Sequence, residues 1–100
     1  MTVIAPPLAQ NSLAELREYI HRTLCRHENL LPDQSPMREL LLMRDGRSCG
    51  IQFVVQGPRA VQLSAIWDSN LKVVNFYDAT GERYLKVPLR DRLERTADAA

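Results

Sequence analysis

The chain has 100 residues, of which 45% are hydrophobic and 25% are charged, and its formal net charge is +1. These values are typical of one globular domain and exclude a disordered chain. A charge so close to zero argues against a dedicated duplex-binding domain, which would carry a strongly basic face.

The sequence also predicts the cellular compartment of the protein. No run approaches the roughly 20 apolar residues that a membrane span requires, and residues 1–10 lack the basic and apolar regions of a signal peptide. We therefore expect a cytoplasmic protein with no membrane attachment. Its two cysteines, Cys25 and Cys49, are then expected to be reduced thiols.

The first regular element predicted with a clear pattern is a helix. Residues 1–11 show no periodicity and are expected to form a flexible lead-in, with Val3 and Ile4 as a candidate short strand. Ser12 and Glu15 then have the spacing of a helix-capping box. One apolar stripe follows at helical spacing, formed by Leu13, Leu16, Ile20 and Leu24. We expect the helix to end near Asn29.

From Met37 onward the apolar period changes to two, which indicates strands. Strands are predicted at 37–44, 48–56, 60–67, 72–78 and 82–88, because the sequences between them are typical of turns. The predicted fold class is α+β, with an N-terminal amphipathic helix packed on one face of a five-stranded antiparallel β-meander. The single domain is expected to span 12–89, and residues 90–100 to form a partly disordered tail.

The turn lengths predict the strand registers. Two-residue turns at Asp45-Gly46 and Thr80-Gly81 and a three-residue loop at 57–59 define three hairpins. They pair Leu42 with Cys49, Leu40 with Ile51, Val55 with Val61, Phe53 with Leu63, Phe76 with Leu85, and Val74 with Val87. These pairings place the large apolar side chains on one shared face, where the helix is expected to pack.

The opposite face of the predicted sheet also carries apolar side chains, which one helix cannot cover. They are Met43, Val73 and five further residues, Leu41, Val54, Ile66, Tyr77 and Tyr84, with the two tyrosines expected opposite each other. A solvated antiparallel face would carry more charge. The sequence therefore favours a non-enzymatic module that binds a protein partner or homodimerises through these five residues. Sheet curvature that closes this face is the structural alternative, and base stacking on two tyrosines is a less favoured one.

Few features of the sequence indicate catalysis or metal binding. Phosphate-loop, HExxH, CxxC and GxSxG motifs are missing from the sequence. His21 and Cys25, four residues apart on the predicted helix, are the weak candidates for a metal or thiol site, and a small metal- or thiol-dependent enzyme centred on them is the alternative function. Two groups do not complete such a site, so we predict no metal, no cofactor and no catalytic residue. The sequence leaves a small-molecule ligand open.

Overall fold

The computed structural model describes residues 2–9 and 12–90, and within them the chain folds as one helix against a mixed sheet. The elements are β1 (Val3–Ile4), α1 (Leu13–His27), a 3-10 turn (Pro32–Gln34), β2 (Met37–Arg44), β3 (Arg47–Gln56), β4 (Gln62–Asp68), β5 (Val73–Tyr77) and β6 (Arg83–Pro88). The strand order is β1-β6-β5-β4-β3-β2. The predicted tail from residue 91 onward lies outside the described residues.

The α+β class is confirmed, but the prediction of five antiparallel strands is wrong in detail. The sheet has six strands within the described residues, because Val3 and Ile4 pair in parallel with Leu85 and Lys86 of β6. The remaining neighbours are antiparallel. The lead-in therefore supplies one edge of the sheet, and β2 supplies the other.

The helix forms as its sequence predicts. The backbone N–H of Glu15 donates to Ser12 Oγ at 3.1 Å, which satisfies one of the free donors at the helix start. The predicted apolar stripe, Leu13, Leu16, Ile20 and Leu24, is at most 3% exposed. Burial of each of these side chains contributes roughly 1.5–3 kcal/mol before ordering costs. The helix packs on β3 and β4.

The core lies between α1 and one face of the sheet. Its largest side chains, Phe53, Trp67 and Phe76, come from three successive strands and are fully buried. Smaller apolar residues fill the space around them: Ile51, Val55, Leu63, Ala65, Val74 and Val87. This face is the one that the hairpin patterns predict for β3 to β6.

The predicted register of the first hairpin is wrong by one residue. Leu41, not Leu40, lies opposite Ile51, because Cys49 is an extra residue that bulges from β3. The bulge lies beside Gly50, where a Cβ atom would come within 2.0 Å of the Trp67 carbonyl oxygen. A one-residue slip exchanges the two faces of β2. Leu41 therefore points to the helix side, and Leu40 to the opposite side.

The register of the second hairpin differs by two residues, which preserves the faces. Phe53 lies opposite Ala65 rather than Leu63. The loop is longer than predicted because the N–H of Gly57 donates to the carbonyl of Val61 at 2.8 Å, so the connection spans 57–61.

The last hairpin confirms the pairing of Phe76 with Leu85 and of Val74 with Val87. A second bulge follows immediately, because Tyr77 lies opposite Arg83 instead of Tyr84. The predicted tyrosine pair is therefore not formed. The ring of Tyr84 packs instead toward the helix, against the core.

Candidate interaction edge

The structure divides the five predicted binding residues between two sides of the sheet. Val54 and Tyr77 both lie in register with Ser64, and Ile66 is two residues further along the same strand, so these three share the face opposite the helix. The two bulges move Leu41 and Tyr84 to the helix side. The predicted placement of those two residues is wrong, while a binding role for the five stays a prediction.

The face opposite the helix is partly closed by its own side chains. Val54 is only 2% exposed although α1 lies on the other side of the sheet, so its neighbours on this face cover it. Ile66 and Tyr77 are half-buried. Polar residues alternate with them, namely Gln52, Ser64 and Asn75. The centre of this face therefore offers less apolar surface than the sequence pattern predicts.

The exposed large apolar side chains of the described strands lie on the two edge strands, two on β1 (Val3 and Ile4) and three on β2. Leu40, Leu41 and Met43 are 51%, 56% and 57% exposed, and they project to both sides of the strand. β2 pairs with β3 alone among the described strands, so its outer edge has no neighbour there. Sequence reasoning placed Met43 on the uncovered face but assigned Leu40 to the helix side. The available signal is the unbroken run Leu40-Leu41-Leu42-Met43, which lacks the alternation of a half-buried strand.

The backbone of β2 presents hydrogen-bonding groups along this outer edge. Cys49 Sγ approaches the carbonyl oxygen of Leu42 at 3.5 Å, so that carbonyl faces β3. Backbone groups alternate in direction along an antiparallel strand. The N–H and C=O groups that point away from β3 therefore belong to Met37, Glu39, Leu41 and Met43.

The helix holds β2 in place. Arg17 Nε donates to Glu39 Oε2 at 2.5 Å, which joins α1 to the middle of the strand. Both side chains are about one-third exposed, so the pair stabilises the fold by less than ~1 kcal/mol. Its structural effect is to hold the free edge against the body of the domain.

His21 and Cys25, the weak metal and thiol candidates, lie in different surroundings. His21 Nε2 lies 2.7 Å from the carbonyl oxygen of Ser35, where it fixes the loop before β2. Cys25 is 1% exposed, and burial raises the pKa of its thiol above the ordinary value. A reactive cysteine requires the opposite, an accessible thiolate. No group of three metal-ligating side chains comes together among residues 2–9 and 12–90.

Two open clefts lie on the surface of the described residues, and one of them borders Cys25. One, of about 590 Å³, adjoins the β2–β3 turn and combines Arg44 and Arg47 with Asp45. The other, of about 410 Å³, lies beside the helix C-terminus, between Arg22 and Leu31. The first cleft has side chains of both charges, and the second cleft is bordered by the buried thiol of Cys25. Neither arrangement indicates a specific reaction.

Comparison of the chain with protein-family models, with curated proteins and with solved structures finds no match in any of the three. In the part of the chain that the structure describes, α1 is too short and too polar to cross a membrane.

Proposed function

We propose that this protein is a non-enzymatic interaction module that binds an extended polypeptide segment along β2. The observation that supports the proposal is the contrast between the two edges of the sheet. β1 is two residues long and is followed by Pro6 and Pro7, features that protect an edge from further pairing. β2 is eight residues long, and four consecutive residues in it, Leu40 to Met43, are apolar.

The edge offers both affinity and selectivity. An added strand would receive hydrogen bonds from the outward backbone groups of β2, each with a net contribution of roughly 0.5–1.5 kcal/mol. Leu40 and Leu42 would contact the partner on one side of the extended sheet, and Leu41 and Met43 on the other. The Arg17–Glu39 pair supports this role because it holds the strand before a partner arrives, which lowers the ordering cost of binding.

The predicted sheet face begins beside this edge. Leu40 lies in register with Gln52, which in turn lies beside Ile66. Ile66 and Tyr77 lie two and three strands away from Leu40, beyond the reach of a side chain on a strand added to β2. Val54, which lies in register with Arg38 and is 2% exposed, makes no contact with the partner in this proposal.

The proposal is tested with a displayed library of random ten-residue peptides, selected against the full chain. We expect the selected peptides to shift the amide resonances of Met37, Glu39, Leu41 and Met43 most strongly. They should lose binding to Leu41→Lys and keep it with Leu71→Lys, whose site is a 73% exposed leucine in the β4–β5 turn. Peptides that perturb only the clefts, or that bind both variants equally, would contradict an edge-binding module.

A further inference from the structure

We infer that the partner of β2 is the β2 strand of a second copy of this chain, paired antiparallel with Leu40 on the two-fold axis. This inference rests on the proposed function, since it requires the β2 edge to pair. It goes further because it names the occupant and the register. The apolar run and the outward backbone groups of β2 match those of a second copy, and the charges along the strand select the register.

Symmetry limits how two identical edges can meet. Two copies of one edge pair antiparallel about a two-fold axis perpendicular to the sheet, which keeps both helices on the same side. Directly opposed residues must point to the same face. The two-fold axis must therefore lie midway between one residue and the same residue of the second copy. That residue defines the register.

Charge removes all but one of the registers centred on residues 38 to 42. An axis at Arg38 or at Glu39 places that charged residue opposite itself. An axis at Leu41 places Arg38 opposite Arg44 of the second copy. An axis at Leu42 brings Glu39 to Asp45 in the turn after the second copy's β2, and it pairs only residues 40–44 of the strand. Directly opposed like charges destabilise strand pairing.

An axis at Leu40 avoids every such conflict. The aliphatic stem of Arg38 faces Leu42 of the second copy, Glu39 faces Leu41, and Met37 faces Met43. Glu39 is already neutralised by Arg17 of its own chain. The outward backbone groups also match in this register, because Met37, Glu39, Leu41 and Met43 of one copy face members of the same set in the other. The central pair, Leu40 with Leu40, buries two side chains that are 51% exposed in the single chain.

Disulfide trapping tests the register. In the proposed pairing the two Leu40 Cα atoms are about 4.5 Å apart, within reach of a disulfide, whereas the two Leu41 Cα atoms are offset by two residues and about 8 Å apart, beyond it. Under mild oxidation Leu40→Cys should form a covalent dimer and Leu41→Cys should not. The wild-type chain, with Cys25 and Cys49, controls for cross-links through native thiols. Faster cross-linking of Leu41→Cys, or equal rates for both variants, would overturn the register.

Native mass spectrometry and light scattering of the full chain test self-association itself. We expect a dimer that Leu40→Arg converts to monomer and that Leu31→Arg leaves intact, since Leu31 is 57% exposed but lies in the loop after α1. A wild-type chain that stays monomeric at every concentration would overturn the inference. If such a monomer still selects peptides that bind β2, the proposed function stands and only the identity of the partner is wrong. If no peptide binds β2 either, both fail.

Discussion

The ring of His27 lies parallel to that of Tyr84, with the centroids 3.8 Å apart and the planes 11° apart. This stack fastens the last turn of α1 to the bulge of β6, at the opposite end of the helix from the Ser12 cap. Tyr84 also contacts Phe76, so the stack joins the helix end to the core. This stack explains why Tyr84 lies on the helix side of the sheet, although simple hairpin pairing would place it on the other face.

The Tyr84 hydroxyl is a point of weakness in this arrangement. It is buried and finds no hydrogen-bond partner among the described residues. Tyr84→Phe keeps the ring stack and removes the unsatisfied group, so we expect the free energy of unfolding to stay the same or to rise by about 1 kcal/mol. Urea denaturation at neutral pH measures the change. A loss of more than about 1 kcal/mol would mean that the hydroxyl has a stabilising partner.

The same hydroxyl predicts a stability change at alkaline pH. Burial, reinforced by the negative charges of Asp78 and Glu28, raises the pKa of Tyr84 to about 12 from an ordinary value of 10.0. Between these values the unfolded chain has lost the phenolic proton and the folded chain retains it. The contribution of this proton to the free energy of unfolding is therefore fully present below pH 10, and it is lost as the pH rises toward 12. Relative to Tyr84→Phe, wild-type protein should lose stability across this window, and parallel curves for the two proteins would refute the assignment.

Gly50 should be far less replaceable than the turn glycine Gly46. A Cβ at Gly50 would collide with the Trp67 carbonyl oxygen, and backbone atoms yield little, so we expect Gly50→Ala to cost about 3 kcal/mol or more. Gly46 has φ +76° with open space around it, so Gly46→Ala meets only backbone strain of about 1–2 kcal/mol. Denaturation of both variants gives the comparison. Similar costs would mean that β3 can shift away from β4.

Ile20→Asp tests the buried face of α1. Ile20 is fully buried, and a charge without a partner at that position should lower the free energy of unfolding by about 4 kcal/mol. Leu71→Asp, at a 73% exposed position, should change it by less than about 0.5 kcal/mol. Thermal melts followed by circular dichroism distinguish the two. A melt of Ile20→Asp that matches that of Leu71→Asp would show that the helix packs through another face.

The two cysteines should differ in reactivity. Cys25 is buried and its pKa is raised, while Cys49 lies half-buried at the bulge. We expect folded protein to react with iodoacetamide at Cys49 and to protect Cys25 until it unfolds. Mass spectrometry of the alkylated peptides at neutral pH gives both rates. Rapid alkylation of Cys25 would restore the thiol-dependent alternative.

The helix and the strand positions could be predicted because local patterns determine them. Ser12, Glu15 and the apolar stripe define α1 within a few neighbouring residues, and the turn sequences separate the strands. The faces of β2 and of the end of β6 could not be predicted in the same way, because each depends on one bulged residue, Cys49 or Tyr84. Gly50 inside a strand is the available signal for the first bulge, since glycine there is typical of a bulge or a close backbone approach.

The prediction of the candidate site was limited by the same error in the register of β2. The sequence identifies β2 as a strand and Leu41 as accessible, but the edge position of β2 follows from the strand order of the whole sheet. A meander leaves its first strand at an edge unless another strand covers it. Val3 and Ile4 cover β6 instead, a pairing between distant parts of the chain that no local pattern indicates.

The parallel pairing of β1 with β6 has a consequence for synthesis. Thr2 Oγ1 donates to the carbonyl of Arg83 across 81 residues of sequence, and Ala5 N donates to that of Lys86. Because translation proceeds from the N-terminus, β1 leaves the ribosome before β6 and has no strand to join until β6 has followed. The β2–β3 hairpin, made of neighbouring residues, can form long before that. Among the described strands, β1 is thus made before its partner β6 and can join the sheet only after β6 is made, and the edge of β2 is available throughout the interval.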